Sequence, residues 1–171
     1  MDTARLKQLM GNRLGVDSRN IHTFIIGEHG DSELPVWSSA NVSGIDISSY
    51  CTHCASDCSN KTFDSIFCNV RDSAYRIIDS KGATYYAIAE AVKRIASAIV
   101  RDEHTILPVS AYLDGQYGIK DVCLGVPCVI GSEGIEDILE IPLDDTEKDK
   151  LLYSASVMQS TISNLKIRIH V

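Results

Sequence analysis

Three residues near the start of the chain have types and spacing that could do chemistry together: Asp2, Arg5 and His29. Asp2 and Arg5 stand three apart on a predicted helix, so both can project from one face. His29 lies in Gly27-Glu28-His29-Gly30-Asp31-Ser32, a polar loop that follows a predicted strand. A histidine in a glycine-rich loop is accessible to a small ligand, and imidazole titrates near neutral pH, which suits proton transfer. A carboxylate such as Asp2 would fix its tautomer and favour its charged form. An arginine can hold a carboxylate with two parallel hydrogen bonds. Anchor, proton donor and orienting acid together suit a 2-hydroxy or 2-oxo acid. Taken alone, an Asp–Arg pair one turn apart is more often a solvated surface pair, and a loop histidine more often a turn residue. The residue types therefore imply an accessible acid/base beside an anion-binding arginine, and no more.

The elements that must position these groups follow from periodicity. Residues 2–14 read as a helix with Leu6, Leu9, Met10 and Leu14 on one face and Gly15 as its stop. Residues 20–26 are β-branched and apolar, hence a strand, and residues 27–35 a loop. Residues 37–50 read as irregular or short-stranded, and residues 51–61 as a surface loop or frayed helix. Ile66, Val70, Ala74, Ile77 and Ile78 share a helical face that Gly82 interrupts. A second helix over about 84–102 carries the stripe Ile88, Ala91, Val92, Ile95 and Ile99. Residues 105–113, 121–130 and 135–141 read as three strands joined by short glycine-containing turns, which favour antiparallel neighbours. A terminal helix over 144–164 has Asp144 and Glu147 at capping-box spacing and the stripe Leu151, Ala155, Met158 and Ile162. Helices grouped apart from an antiparallel meander imply an α+β class, long helices packed on antiparallel strands, in one domain over residues 1–171.

Composition narrows the function classes. The chain has 171 residues, 44% of them hydrophobic, enough for one packed core. A net charge of −7 disfavours non-specific binding to nucleic acid or anionic membranes, while leaving room for a local basic site. No apolar run is long enough to span a bilayer, and residues 1–14 lack the apolar segment of a secretory signal. Six cysteines in such a context read as reduced cytosolic thiols. Cys51-Thr52-His53-Cys54-Ala55-Ser56-Asp57-Cys58 has metal-like spacing, but no second C-x-x-C follows to complete a zinc site, so no metal is expected. A dinucleotide site needs a glycine-rich turn after a first strand, and the sequence contains no G-x-G and no phosphate-binding P-loop. Any nucleotide cofactor must be bound mostly by another polypeptide segment.

The wording of several segments is more specific than their physics. Asp2-Thr3-Ala4-Arg5, the run from Ile26 through Glu28-His29-Gly30-Asp31-Ser32 to Pro35-Val36-Trp37-Ser38, and Lys81-Gly82-Ala83-Thr84 together resemble the L-lactate dehydrogenase family. The resemblance runs along essentially the whole chain, in order. It implies the family's C-terminal, substrate-binding domain, with the N-terminal NAD-binding domain absent. It further implies that His29 donates a proton to the pyruvate carbonyl oxygen as hydride arrives from NADH, and takes it back in lactate oxidation. Asp2 pairs with His29, Arg5 binds the substrate carboxylate, Thr84 lines the pocket at the substrate's methyl end, and Ile88 faces the nicotinamide. On local pattern alone, Thr84 reads as a helix N-terminal residue and Ile88 as core.

The same resemblance implies NAD as the cofactor of the full-length enzyme, a cytoplasmic homotetramer and a place in glycolysis and pyruvate fermentation. Bacterial members are often allosteric enzymes activated by fructose 1,6-bisphosphate, and the matching positions here hold Lys7 and His22. Lys7 keeps the charge but not the planar fork of the arginine usual there. The chain alone is expected to be inactive and to hold no cofactor. Two other readings stay open: half of a malate or other 2-hydroxy-acid dehydrogenase, and a non-catalytic assembly module.

Overall fold

The computed structural model describes residues 1–52 and 59–165. Its framework is an antiparallel meander of β6 (Thr105–Asp114), β7 (Lys120–Gly131) and β8 (Gly134–Ile138), in that order. β6 and β7 pair over ten positions, with Ala111 opposite Leu124 and Leu113 opposite Val122. Side chains alternate across a strand, so Ala111, Leu113, Val122, Leu124, Val126 and Ile130 form one buried face. α6 (Asp145–Asn164) lays Leu151 and Ala155 on that face, and α5 (Tyr86–Val100) contributes Ala98.

A second core lies under α1 (Asp2–Leu14), where Leu6, Met10 and Leu14 pack with Ile21, Ala40, Val42, Ile47 and Val70. α1 ends as expected at Gly15, whose left-handed backbone lets its N–H reach the Gly11 carbonyl. The second core is completed by β1 (Ile21–His22), β4 (Asn41–Val42), α2 (Ile47–Cys51) and α3 (Asn60–Arg71), with β5 (Ile45–Asp46) paired to β4 as an exposed edge.

The expected strand over 20–26 is broken. Ser18–Asn20 is a 3₁₀ turn, β1 pairs with β4, and β2 (Ile25–Ile26) pairs with β3 (Leu34–Pro35) in a different sheet. The cause is at the junction. The buried Thr23 hydroxyl donates to the Val36 carbonyl at 2.7 Å, and the Phe24 carbonyl accepts from the Val36 N–H at 2.9 Å. These bonds bend the chain out of one ladder and into the next. The adjacent residues Ile25 and Ile26 then enter opposite cores.

Two helical stripes also differ from expectation. The helix over the 66–78 stripe is interrupted at Asp72 as well as at Gly82, giving α3 and α4 (Ser73–Lys81). α4 has no buried residue. On α5, Ile88 is 45% and Val92 60% exposed, so the reading of Ile88 as core is overturned. Periodicity marks an apolar face without saying what covers it. Ile162 on α6 is exposed for the same reason. The expectation of reduced thiols holds at Cys68, Cys123 and Cys128, which are free. It is corrected at Cys51, which is disulfide-bonded. Cys54 and Cys58, with the rest of the metal-like run from His53, lie outside the described residues, as do residues 166–171. Among the described residues, no helix is long and apolar enough to cross a membrane.

The meander's helix is locked to the other half of the molecule by one buried carboxylate. The capping box foreseen at Asp144 and Glu147 is present in both directions. Glu147 does more than cap. Its Oε1 accepts the N–H groups of Trp37 and Ser38 at 2.8 and 2.9 Å, and its Oε2 accepts from the Asp144 N–H at 3.0 Å and from the Ser38 hydroxyl. Glu147→Ala strands the N–H groups of Trp37, Ser38 and Asp144 and removes one arm of the capping box. It is expected to destabilise the fold by about 3 kcal/mol in urea denaturation.

Candidate functional site

The loop that carries His29 is set by backbone contacts. Gly27, at the end of β2, exchanges both hydrogen bonds with Gly125 in β7, each 2.8 Å. Neither residue has room for a side chain. A Cβ on Gly27 would lie 2.8 Å from Ser154 Oγ and one on Gly125 3.0 Å from the Gly27 carbonyl oxygen. Gly27 also has φ +93°, a conformation that glycine alone adopts easily. Ser154, buried on α6, accepts the Glu28 N–H at 2.8 Å and lies 3.1 Å from the Ser32 hydroxyl. Ser32 in turn donates to the Glu28 carboxylate. The loop is therefore pinned to β7 and to α6 on either side of its turn.

Asp2 arrives from the other core. Thr3, the next residue, accepts the Ile25 N–H at 2.9 Å through its buried hydroxyl oxygen, tying the first turn of α1 to β2. With both tethers in place, Asp2 Oδ2 stands 2.8 Å from His29 Nδ1. The imidazole is 72% exposed while the Asp2 side chain is 14% exposed. The ring is thus presented to a ligand from a fixed back edge, with Nε2 left for a proton-accepting or proton-donating partner. Arg5 sits on the same helical face, its Nη1 3.5 Å from Asp2 Oδ1, an ion pair without hydrogen-bond geometry. Arg5 Nη1 is buried and has no hydrogen-bond partner among the described residues.

Two cavities meet at this point. One, about 650 Å³, is lined by Asp2, His29, Thr84 and Ile88 together with Ile95 and Cys123. The other, about 750 Å³, is lined by Arg5, Lys7, His22 and Arg94. Met1, Thr3, Ala91, Ile95 and Pro108 form a wall common to both. The structure therefore brings Asp2, His29, Thr84 and Ile88 together, and separately brings Lys7 and His22 together. Arg5 is coupled to the first group through Asp2 but opens onto the second cavity. Thr84 precedes α5 by two residues and lines the His29 cavity. Desolvation lowers the Lys7 pKa from its ordinary value, as expected of an ammonium half withdrawn from water.

Sequence reasoning missed Glu33 and Ser154. Glu33 lies in the loop, its side chain 4% exposed and its Oε2 4.0 Å from His29 Nδ1. Burial, and then the nearby Asp2 charge, push its carboxyl up to about 7. Its i,i+4 spacing from His29 was the available signal. For Ser154 no local signal exists, because its role depends on a contact 126 residues away. Among the described residues, two trios of potential metal ligands have atoms within 4.8 Å of one another: Asp2, His29 and Glu33, and the exposed Asp102, His104 and Glu136. In the first, Nδ1 of His29 is already engaged by Asp2. In the second, His104 Nε2 stands 3.1 Å from Glu136.

Residues 1–167 match the family described as lactate/malate dehydrogenase, alpha/beta C-terminal domain. The chain belongs to that family. It is 47% identical over 165 residues to L-lactate dehydrogenase 1 of Clostridium acetobutylicum, covering 96% of this chain and 53% of that protein. It is 50% identical over 167 residues to L-lactate dehydrogenase of Thermoanaerobacter sp. (strain X514), covering 98% and 54%. The fold overlays a lactate dehydrogenase from a Medee basin deep-sea metagenome library with a TM-score of 0.93 at 38% identity, over 97% of this chain and 53% of that one. It also overlays the minor L-lactate dehydrogenase of Enterococcus mundtii, with a TM-score of 0.90 at 36% identity, over 98% and 53%. The chain thus spans about half the length of the relatives it matches.

The Glu33 carboxyl has a consequence for stability. A group whose pKa is higher folded than unfolded favours the folded state below its unfolded pKa, and that contribution is lost as pH rises through the folded value. For Glu33 the window runs from 4.5 to about 7. In denaturant midpoints measured across this window, the wild type should lose stability relative to Glu33→Gln as pH rises, with no further divergence above it.

Proposed function

We propose that this chain, residues 1–171, is the C-terminal, substrate-binding domain of an NAD-dependent L-lactate dehydrogenase that interconverts pyruvate and L-lactate. The observation that carries the reading is the 2.8 Å contact between Asp2 and His29 at the mouth of an apolar-walled cavity. His29, its back nitrogen held by Asp2, gives a proton to the substrate carbonyl oxygen in the direction of lactate and recovers it in the direction of pyruvate. Asp2 keeps the imidazole in the productive orientation and stabilises its charged form. Arg5 receives the substrate carboxylate. Its buried Nη1, which makes no hydrogen bond among the described residues, supports that role, although it requires the guanidinium to turn from the second cavity towards the first. Thr84 shapes the pocket at the substrate's methyl end.

The residues present fit only the nicotinamide end of the cofactor. Ile88 and its neighbours on α5 offer an exposed apolar wall beside His29. The sequence has no glycine-rich turn for a pyrophosphate, so a separate NAD-binding domain, outside this chain, completes the site. When bound, NAD carries the hydride; this chain orients the substrate, excludes water and moves the proton. A cytoplasmic homotetramer working in pyruvate fermentation accords with this reading.

The test is activity. The purified chain should oxidise NADH with pyruvate no faster than background. Joined to the N-terminal half of a clostridial L-lactate dehydrogenase, it should become active. In that enzyme His29→Asn should lower kcat by at least about 100-fold, and Arg5→Lys should raise the pyruvate KM by losing the bidentate fork. A joined enzyme that prefers oxaloacetate would favour the malate reading, and one that assembles without activity would favour an assembly role.

A second site is proposed at Lys7 and His22, for fructose 1,6-bisphosphate. Their shared cavity with Arg5 and Arg94 supports it. In the joined enzyme the sugar bisphosphate should shift the pyruvate saturation curve, and Lys7→Ala with His22→Ala should abolish the shift. An unchanged curve in the parent rejects the site.

A further inference from the structure

Glu33 is unusual among the carboxylates of this chain. It is nearly fully buried, and its Oε1 has no hydrogen-bond partner among the described residues. Its Oε2 points at the same nitrogen of His29 that Asp2 holds, 4.0 Å away. Four charged groups act on it: Asp2 and Arg5 from α1, Arg71 from α3, and the amino group at Met1. His29 faces it from its own loop. The Met1 amino group, Arg71 and Arg5 favour its carboxylate form, but burial and the Asp2 charge outweigh them, and a buried acid costs stability unless something offsets its burial. An apolar residue would fill this space at less cost. The position of the carboxyl suggests that its proton is useful.

We propose that Glu33 is a positioning residue for His29, a second carboxyl that takes up a proton as the imidazole gives one up and releases it as the imidazole regains one, so that Asp2, His29 and Glu33 hold protons as one unit. This rests on the reading of His29 as the proton carrier. With the imidazole charged, attraction across 4.0 Å favours the Glu33 carboxylate. With the imidazole neutral, burial and the Asp2 carboxylate favour Glu33 protonated. The trio carries one net negative charge in each of these forms: Asp2 and Glu33 ionised with His29 charged, or Asp2 ionised with Glu33 and His29 neutral. The charge seen by a substrate anion therefore stays constant while the proton relocates. Sites coupled in this way titrate in shared steps. The raised pKa of Glu33 agrees with the geometry.

The experiment is an NMR titration of the purified chain, reading the Glu33 side-chain carboxyl carbon and the His29 ring resonances from pH 4 to 9. The Glu33 carbon should titrate about two pH units above an ordinary glutamate, and the His29 ring should show a step at that same midpoint. In Glu33→Gln the step should vanish from the ring resonances. In Asp2→Asn the Glu33 midpoint should move down, since the like charge that holds it up is gone. A Glu33 carbon that titrates as an ordinary surface carboxylate overturns the proposal, as does a ring step that persists in Glu33→Gln. If Glu33→Gln does not fold, the two wild-type curves decide alone: coincident midpoints support the coupling and independent ones overturn it. None of these readings needs NADH or pyruvate. An inactive joined enzyme would defeat the lactate reading and leave this result standing, and the reverse also holds.

Discussion

The site depends on one place where two backbones meet without side chains. Gly27 and Gly125 exchange hydrogen bonds across the junction between a two-residue strand and the long meander. A two-residue strand has almost no pairing energy of its own. Its direction is fixed because β7, anchored in a ladder of ten pairs, holds it. The side-chain space above Gly27 is taken by Ser154, which uses it to catch the next N–H of the loop. His29 inherits its position from this contact, with three-quarters of its ring in solvent and little packing of its own. A ring held from behind in this way keeps its outer face open to a ligand.

The second half of the site comes from a helix whose own core is elsewhere. α1 is stabilised by Leu6, Met10 and Leu14, and these say nothing about where Asp2 points. The Thr3 hydroxyl does, by binding Ile25 at the strand that leads to His29. Arg5 is then placed by helical geometry one turn beyond Asp2, and that turn carries it to the next cavity. Glu147 gives the assembly its rigidity at longer range, joining the start of α6 to residues 37 and 38 beyond the loop.

What could be read in the sequence divides by the range of the interaction. α1, the three meander strands and the capping box at Asp144 and Glu147 are written in local pattern, and they stand nearly where periodicity puts them. The pairing of Asp2 with His29 was legible through the wording of the motifs, since no spacing rule links residues 27 apart. The break between β1 and β2 was not legible, because its cause is Thr23 bonding to Val36 across a turn. The stripes on α4 and α5 were legible as apolar but not as uncovered. Amphipathicity records that a face meets something, and here the described residues supply no layer over Ile88 or Val92. Glu33 reads in sequence as one more polar loop residue; only burial distinguishes it.

Ile25 and Ile26 are neighbours in the chain but belong to different cores. The peptide between them is the seam along which the molecule would part. Asp2 rides with the helical core, and Gly27 and Ser154 with the meander, so their separation measures the alignment of two packed bodies. A displacement of one body past the other by the width of a single hydrogen bond would disconnect His29 from Asp2 while leaving every side chain in each core undisturbed. The contact between Asp2 and His29 is thus sensitive to sliding, a motion that thermal stability alone does not report, and amide exchange at Ile25 and Ile26 would record it directly.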